Sequence, residues 1–377
     1  MRSPINSIAR SLLVVGPGTG PKERAYGANT GGYIRNMEVY LLTLSTDRFK
    51  LFPFYHTVRG RDGRFLGNPV VRMIRDTVSF AVTCLRKRPS AVHILAQYRG
   101  ALAREYAHAM ICHFLGIPFG YDIKAGAFKR TYHEGGSFYR AMQRQIVSWA
   151  RIIFVEGRSD QKFVQNTFKK NAVYFPNFVP KDDVPTLVPF RDFSNPMKII
   201  FVGRCCLGKG VPELVNGACE AAHSGLVQEL VLAGPESPEF TAWLDEIDLP
   251  KGLTIRRCGR LPHSRVIEEL KRSEVFAYPS EHPGEGHSNA INEAMMCGLA
   301  IMSTRHGFLG DVLDGQCAHF ISKRSATSIR DALIAIHSNP DESSAMALRA
   351  RQKLMSEFTS DKARTTFHSA YSELFLP

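Results

Sequence analysis

Two glutamates in the second half of the chain have the type and spacing of ligand-binding carboxylates. Glu285 and Glu293 are eight positions apart within the stretch PSEHPGEGHSNAINEAMMCG, which runs from residue 279 to residue 298. A carboxylate in the loop can accept hydrogen bonds from sugar hydroxyls, and a second one about a turn into the following helix can reach other hydroxyls of a long ligand. The spacing therefore indicates a site for an extended, hydroxyl-rich molecule. Taken alone, the stretch is also compatible with two solvated carboxylates on an ordinary strand, loop and helix.

The residues around these glutamates predict the elements that position them. The apolar run Val275–Tyr278 is typical of a buried parallel strand, and Gly298 is a typical helix end. A cap at Ser288 or Asn289 leaves the first amide groups of the helix pointing at whatever lies above the strand. Such a helix start favours an anion, typically a phosphate. The residues of this turn that we expect to bind the ligand are Gly286, His287, Ser288 and Asn289.

A second loop contributes two cations. Arg204 and Lys209 follow the apolar run 198–202 and are five positions apart across a loop that contains Gly208. From such a loop the guanidinium can bind a phosphate as a fork and the ammonium as a point charge. The loop therefore predicts a diphosphate site, although a solvated loop with two basic residues has the same pattern.

The chain resembles the large family-four retaining glycosyltransferases in three features that fall in the family's order. These are the glycine pair Gly31-Gly32, the Gly-Arg…Lys-Gly pattern of Arg204 and Lys209, and the E-x7-E signature of Glu285 and Glu293. The resemblance is strong over residues 198–313 and weak over residues 16–190. It implies an α/β fold of the GT-B class, in which two Rossmann-like domains with parallel sheets face each other across an interdomain cleft.

The resemblance also implies a role for each residue. In relatives the two cations bind the donor diphosphate, the first glutamate binds the donor hexose and the second binds the ribose. The glycine pair lies beneath the diphosphate, and Leu261 belongs to a segment that resembles the nucleobase side of the site. Many relatives have a histidine close to the reacting sugar where this chain has Lys124. We therefore predict Glu285 and Lys124 as catalytic residues, Lys124 in an electrostatic role.

These features predict an enzyme that transfers a sugar, with retention, from a nucleotide-diphosphate donor to a glycan or lipid-linked acceptor in cell-surface polysaccharide synthesis. No Asp-x-Asp occurs in the sequence, so we expect neither a required metal nor a cofactor. One alternative is a non-catalytic subunit that binds a nucleotide sugar in the same fold. A nicotinamide-dependent dehydrogenase is disfavoured, because His56 and Thr57 occupy the end of the second predicted strand, where an acidic residue is needed.

The alternation of strands and helices predicts two domains, as does a length of 377 residues, since a single core stops growing efficiently near ~250–300 residues. We expect an N-terminal acceptor-side domain at 1–182, a proline-punctuated linker at 183–196 and a nucleotide-sugar-binding domain at 197–360. A final helix at 361–377 is expected to pack back on the first domain. Within the first domain, an apolar-periodic helix is predicted near Val70 to Leu85.

The charge distribution and the composition indicate which partners and which cell compartment to expect. Residues 1–190 contain 28 lysines and arginines against 12 aspartates and glutamates, a net charge of +16, whereas residues 191–377 contain 20 against 23, a net charge of −3. The basic half predicts an anionic partner; we expect a membrane surface rather than nucleic acid, because the basic runs lack interleaved aromatic residues. No apolar run approaches the ~18 residues of a membrane helix, and eight cysteines occur without a CxxC motif. We therefore expect a cytoplasmic protein, peripheral on the inner face of the membrane.

Overall fold

The structure is a computed structural model that describes residues 9–17, 32–56, 68–96, 101–124 and 126–376, apart from the side chains of residues 32–34. It divides into two compact units. The first consists of Met1–Pro176 together with Ser360–Pro377, and the second of Asn177–Thr359. Each unit is built on a parallel sheet of six strands.

The sheet of the first unit has the strand order β2-β1-β3-β4-β5-β6, and every pair of neighbours is parallel. Its central strands are apolar and buried, as expected for a sheet covered by helices on both faces. Pro53 lies in the edge strand β2, a position where a missing backbone N–H is tolerated. The strands are β1 (Arg10–Pro17), β2 (Phe49–His56), β3 (Ala91–Ala96), β4 (Phe119–Ile123), β5 (Ile152–Val155) and β6 (Val173–Tyr174).

Helices alternate with these strands, and the last helix of the chain also belongs to this unit. The Tyr371 hydroxyl of that last helix lies 3.0 Å from Nδ1 of His93 in β3, and both side chains are fully buried. The C-terminal helix is thus part of the core of the first unit. The helices are α1 (Gly32–Thr43), α2 (Pro69–Lys87), α3 (Leu102–Phe114), α4 (Phe128–Glu134), α5 (Ser137–Trp149), α6 (Arg158–Phe168) and, at the end of the chain, α14 (Ser360–Leu374).

The sheet of the second unit has the order β12-β11-β10-β7-β8-β9 and is also parallel throughout. The chain builds outward from β7 to β9 and then returns to the other side of β7 with β10. In open α/β sheets such a reversal creates a crevice at the carboxyl ends of the two strands. The strands are β7 (Met197–Val202), β8 (Val227–Ala233), β9 (Thr254–Gly259), β10 (Val275–Tyr278), β11 (Ala300–Ser303) and β12 (His319–Phe320).

The helices of the second unit follow the strands in the same alternating order. Seven residues of α7, Leu214 among them, are buried. The helices are α7 (Val211–Ala222), α8 (Pro238–Asp245), α9 (His263–Arg272), α10 (Asn289–Cys297), α11 (Leu309–Val312), α12 (Ala326–Ser338) and α13 (Pro340–Glu357), with short 3-10 helices at Lys181–Asp183 and Leu207–Lys209. Among the helices that the structure describes, none has the length and apolar character required to cross a bilayer.

Residues 183–196, predicted as a linker, pack on the second unit. The Phe193 side chain is fully buried. The Arg191 guanidinium donates to the carbonyls of Lys271 at 2.7 Å and of Cys297 at 3.0 Å. Burial lowers the pKa of Arg191 from its ordinary value, and the carboxylate of Glu274 acts in the opposite direction. The Arg191 side chain thus binds carbonyls at the carboxyl ends of helices α9 and α10 and attaches the segment to them.

Candidate functional site

The predicted ligand-binding residues of the second unit lie in the loops that follow β7 and β10. These two strands are neighbours in the sheet and are the pair at which the strand order reverses. Their carboxyl ends therefore meet at the crevice where open α/β sheets bind ligands. The two loops contain both predicted cations, Arg204 and Lys209, and the loop glutamate, Glu285.

Two glycines allow the loop after β7 to make close backbone contacts with the neighbouring loops. A Cβ atom on Gly234 would lie 1.7 Å from the carbonyl oxygen of Gly203, so the loop after β8 can pass this closely only as glycine. Gly210 has φ +69°, and a Cβ there would lie 2.3 Å from the carbonyl oxygen of Pro279. Glycine adopts this left-handed conformation without steric cost. The absence of a side chain at Gly210 therefore lets the end of this loop, with Lys209, rest against the end of β10.

Glu285 and Lys209 form an ion pair at this contact. The Lys209 ammonium donates to Oε2 of Glu285 at 2.6 Å, and the two side chains are 13% and 7% exposed. The Tyr278 hydroxyl donates to Oε1 of the same carboxylate at 3.0 Å, and the Ser280 hydroxyl donates to Oε2. Three donors, one from β10, one from the loop after β10 and one from the loop after β7, thus surround one carboxylate. Sequence reasoning identified both charges but not their pairing.

Tyr278 is held in its neutral, donating form. Burial raises the pKa of its phenol well above the ordinary value, and the neighbouring Glu285 carboxylate adds to this shift. A hydrogen bond with Ser288 acts in the opposite direction. The phenol therefore remains protonated and acts as a donor towards the carboxylate.

The loop that carries Glu285 is fastened from the side of β11. The Thr304 hydroxyl donates to the Ser280 carbonyl at 2.6 Å, and Nε2 of His306 lies 3.0 Å from the His282 carbonyl. Gly307, at φ +60°, would place a Cβ atom 2.3 Å from the carbonyl oxygen of Glu285. This packing fixes the backbone of Glu285, whose carboxylate is buried among its three donors.

The turn into helix α10 is anchored by a buried network of amides. Nε2 of His287 lies 2.8 Å from Oδ1 of Asn292, and Nδ2 of Asn292 donates to the carbonyl of Asn177 at 3.0 Å. The Asn177 amide in turn donates to the carbonyl of His287 at 2.7 Å. His287, predicted to bind the ligand, is thus 3% exposed and engaged in holding the helix start. Asn177 and Asn292 were not identified from the sequence; the Pro-Asn turn at 176–177 was the available signal.

The first turn of α10 faces the same crevice. Ser288 is the N-cap residue, with an extended backbone at φ −74° and ψ 123°, and its side chain does not cap the helix. Helix α10 therefore begins at Asn289, directly after the loop that carries Glu285, and the partial positive charge of a helix start favours an anion. Gly286 and Asn289, predicted to bind the ligand, are both partly exposed there.

Glu293 lies inside helix α10 and has a partner that the sequence did not predict. Its Oε1 is 3.0 Å from Nε2 of His263, the first residue of α9. The His263 side chain is 34% exposed, whereas that of Glu293 is 9% exposed. Leu261, two residues before His263, packs partly buried against the core of the unit. The structure thus joins Glu293 of α10 to the first residue of α9, two positions after Leu261 in the chain.

Arg204 remains as an exposed cation of the loop after β7. It has no hydrogen bond or ion pair with any residue within the described ranges. With Glu285 neutralising Lys209, Arg204 supplies the uncompensated positive charge of this loop. Electrostatic attraction of an anion by this loop therefore depends on Arg204, on Lys209 after exchange of its partner, and on the helix start.

The predicted site residues of the first unit have a different environment. Gly31 lies outside the described residues, and Gly32 is the first residue of helix α1. The Lys124 side chain is 1% exposed; its ammonium donates to the Phe175 carbonyl at 2.7 Å and lies 3.7 Å from Oδ1 of Asp122 and 3.9 Å from Oε1 of Glu156. Lys124 is therefore enclosed by a carbonyl and two carboxylates at the carboxyl end of β4. Its catalytic role stays a prediction.

Comparison with protein families locates a known domain in the second unit. Residues 196–339 match the family model described as glycosyl transferases group 1. This region is a glycosyl transferases group 1 domain. It contains both loops of the crevice, the Glu285–Lys209 pair, and Glu293 with its partner His263. The resemblance found in the sequence is confirmed for this family.

The curated proteins that this chain resembles are distant relatives. The chain is 24% identical to glycogen synthase of Mycobacterium tuberculosis over 183 residues, which are 48% of this chain and 44% of that protein. It is 26% identical to the GPI3 subunit of phosphatidylinositol N-acetylglucosaminyltransferase from Saccharomyces cerevisiae over 165 residues, 43% of this chain and 35% of that subunit. The chain thus matches less than half the length of these relatives.

Solved structures are similar over nearly the whole chain. Sucrose-phosphate synthase from Thermosynechococcus elongatus has a TM-score of 0.69 at 14% identity and covers 97% of this chain and 99% of its own. The Anabaena HepE protein, solved in complex with UDP and glucose, has a TM-score of 0.67 at 11% identity and covers 97% of this chain and 100% of its own. At this identity the likeness concerns the fold. The predicted α/β fold of the GT-B class is confirmed.

Proposed function

We propose that the chain is a retaining glycosyltransferase that moves a sugar from a nucleotide-diphosphate donor to a glycan or lipid-linked acceptor, in the synthesis of a cell-surface polysaccharide. The observation that carries this proposal is the Glu285–Lys209 pair at the carboxyl ends of β7 and β10, inside a group 1 domain. A carboxylate for sugar hydroxyls and a cation for phosphate at one point of the crevice suit the junction between sugar and diphosphate in such a donor.

The proposal gives each site residue the role that the family resemblance implies. Arg204 and Lys209 bind the diphosphate, and the helix start at Gly286–Asn289 adds amide groups that stabilise the charge developing on the leaving phosphate. Glu285 accepts from a hydroxyl of the donor hexose, and Glu293 accepts from the ribose. The backbone near Leu261 faces the nucleobase. His263 orients the Glu293 carboxylate through the 3.0 Å contact.

Lys209 and Glu285 can exchange their mutual contact for contacts with the donor when the donor binds. In the structure the Lys209 ammonium is 2.6 Å from the Glu285 carboxylate. A diphosphate oxygen competes for the same ammonium, and a sugar hydroxyl can then donate to the carboxylate oxygen that the ammonium leaves. Tyr278 and Ser280 continue to donate to the carboxylate and hold its orientation. Donor binding therefore replaces one ion pair by two new contacts without leaving either charge unpaired.

The relatives support a nucleotide sugar as donor. The Anabaena HepE structure, which shares the fold, was solved with UDP and glucose. Uridine diphosphate sugars are therefore the first donors to try. A transfer that needs neither metal nor cofactor is part of the proposal, since the developing charge has two protein cations and a helix start to stabilise it.

The proposal is tested with purified protein and a panel of nucleotide sugars. We expect release of the nucleoside diphosphate from one donor, slowly by hydrolysis without acceptor and faster with one, measured by mass spectrometry. Proton NMR of the first product formed reports the anomeric configuration, and EDTA in the assay tests the metal requirement. No turnover of any donor, with any acceptor fraction, would contradict the proposal; an inverted product or loss of activity in EDTA would correct the mechanism.

A nucleotide-sugar-binding subunit without catalytic activity is the alternative. The observation that favours it is the burial of Lys124, whose ammonium is occupied by the Phe175 carbonyl. Calorimetric titration separates the two functions, because a binding subunit titrates with the donor and leaves it intact over hours.

A further inference from the structure

Helix α2 (Pro69–Lys87) of the first unit has an exposed face that is apolar. Six aliphatic side chains of this helix are between 39% and 63% exposed. They are Val70, Val71, Ile74, Val78, Val82 and Leu85. Isolated exposed aliphatic residues are common on protein surfaces, but six on one helix form a continuous surface that calls for a partner.

The six residues occupy one side of the helix. At about 100° per residue, they fall within an arc of about 120°. The opposite side is buried in the first unit and carries Asp76, Phe80 and Cys84, and α2 packs there on helix α3. The helix thus has two charged residues, Arg72 and Asp76, on its buried side and its large aliphatic residues on its exposed side, the reverse of a surface helix that serves only the core of its own domain.

Cations border the apolar arc. Arg75 follows it on one side, 64% exposed in its side chain, with a guanidinium nitrogen 3.6 Å from Asp76. In the last turn Arg86 lies on the same side, and the cap residue Arg88 ends the helix; both are exposed, as is Lys87, which by the same count lies on the opposite side. The only acidic residue of the helix is Asp76, which is buried. Every exposed charge on this helix is therefore positive.

We propose that this face of α2 binds the surface of an anionic lipid bilayer, with the helix lying parallel to the membrane plane. An apolar arc bordered by cations is the arrangement by which amphipathic helices enter the boundary between headgroups and acyl chains. Valine, isoleucine and leucine contribute apolar area there, while Arg75 and Arg86 at the border of the arc, together with the cap residue Arg88, pair with anionic headgroups. The inference rests on the exposed side chains of α2 and does not depend on the proposed transfer reaction.

The exposed charges of α2 disfavour a second copy of this chain as the partner of its apolar face. Two α2 helices packed through their apolar arcs would bring arginines and lysines of both copies to the border of the contact. Helix pairs of this kind are stabilised by opposite charges at the border and destabilised by like charges. Because α2 offers no exposed acidic residue, an anionic lipid surface is the complementary partner.

Co-sedimentation with vesicles tests the proposal. The full chain is mixed with vesicles of phosphatidylcholine alone and of phosphatidylcholine with phosphatidylglycerol, at low and at high salt. We expect about ten- to a hundredfold stronger binding to the anionic vesicles at low salt, weakened by salt. The double variant Ile74→Asp and Val78→Asp should lose at least about tenfold in binding. The matched control, Leu187→Asp with Leu348→Asp, changes two exposed leucines of the second unit to the same charge and should bind like the wild type.

A tryptophan variant provides a second test, in which contact with the membrane changes the fluorescence. Val78→Trp places an indole in the centre of the apolar arc, and anionic vesicles should shift its emission to the blue and brominated lipids should quench it. Leu348→Trp should show neither effect. The proposal is overturned if wild type and the Ile74/Val78 variant bind anionic vesicles equally, or if neither binds. It is likewise overturned if the Ile74/Val78 substitution converts a dimer to a monomer without any vesicle binding, which would make a second copy the occupant.

Discussion

Replacing Glu285 by glutamine removes the negative charge at the centre of the site and keeps the shape of the side chain. The carboxylate accepts bonds from Lys209 at 2.6 Å, from Tyr278 at 3.0 Å and from Ser280. Glutamine has one oxygen and one NH2 group, so one of the present acceptor positions becomes a donor that faces a donor. The substitution therefore breaks the ion pair and at least one further hydrogen bond.

The expected loss follows from the type of bond and its burial. A hydrogen bond to a charged group contributes about 1.5–3 kcal/mol, and the two side chains are 13% and 7% exposed, so little solvent screening applies. For a domain of this size the melting temperature should fall by about 3–10 °C. If Glu285 also holds a hydroxyl of the donor hexose, transfer should fall a further ten- to about a hundredfold.

Affinity for free nucleoside diphosphate separates the proposed role from a structural one. The diphosphate does not contact Glu285 in the proposed arrangement, and it competes with that carboxylate for Lys209. In the Glu285→Gln variant the affinity for free nucleoside diphosphate, measured by calorimetry, should thus be unchanged or up to about tenfold tighter. Glu281→Gln is the matched control in the same loop, because its carboxylate pairs with the exposed Arg324 at 2.8 Å. Equal losses of donor and of free nucleotide binding in Glu285→Gln would refute the reasoning.

Three further predictions address the loop, the second glutamate and the first unit. Gly210→Ala places a Cβ atom 2.3 Å from the Pro279 carbonyl and should weaken donor binding and lower the melting temperature in a thermal scan, whereas Gly208→Ala, with open space around it, should do neither. Glu293→Ala should weaken donor binding about ten- to a hundredfold in calorimetry while retaining native melting, with an unchanged affinity contradicting its assignment to the ribose. Burial lowers the pKa of His108 to about 3, with the positive charge of Arg104 as a lesser cause. The unfolded chain therefore binds the additional proton below pH 6.5, so the free energy of unfolding should fall by about 2 kcal/mol between pH 7 and pH 5, and urea titrations of His108→Gln should show that much less dependence on pH.

The loops of the group 1 domain were predictable because their backbone conformation depends on nearby residues, such as glycines and the apolar run of the preceding strand. Glycine at 210 is required by a left-handed φ of +69° and by close contact with β10. The apolar run before Pro279 predicts a buried strand, and the structure has all four residues of β10 buried. Parallel strands place such loops at one edge of the sheet, so Arg204, Lys209 and Glu285 were expected near each other. Local patterns of this kind can be recognised in a single sequence.

Pairings between distant residues were not predictable. Lys209 and Glu285 are separated by 76 positions, and His263 and Glu293 by 30. Whether a charge contacts a ligand or another residue depends on distances below 4 Å, and neither periodicity nor turn residues determine them. Lys124 is the clearest case, because a lysine at the end of a strand is usually solvated, and here Phe175, Asp122 and Glu156 enclose its ammonium.

Helix α2 shows a further limit of sequence patterns, because a pattern does not tell which side of a helix is buried. For this reason the exposed face of α2 could be found only in the structure. The apolar period between Val70 and Leu85 predicts an amphipathic helix, but a period is the same whether the apolar side faces the core or the solvent. The usual assumption places the apolar side inside, and the structure places Asp76 and Phe80 there and leaves Ile74 and Val78 exposed. The same pattern that explains buried helices elsewhere in the chain therefore leaves, on this helix, an apolar surface that the first unit itself does not cover. Because all the exposed charges on the helix are positive, the physical chemistry of that surface matches an anionic bilayer.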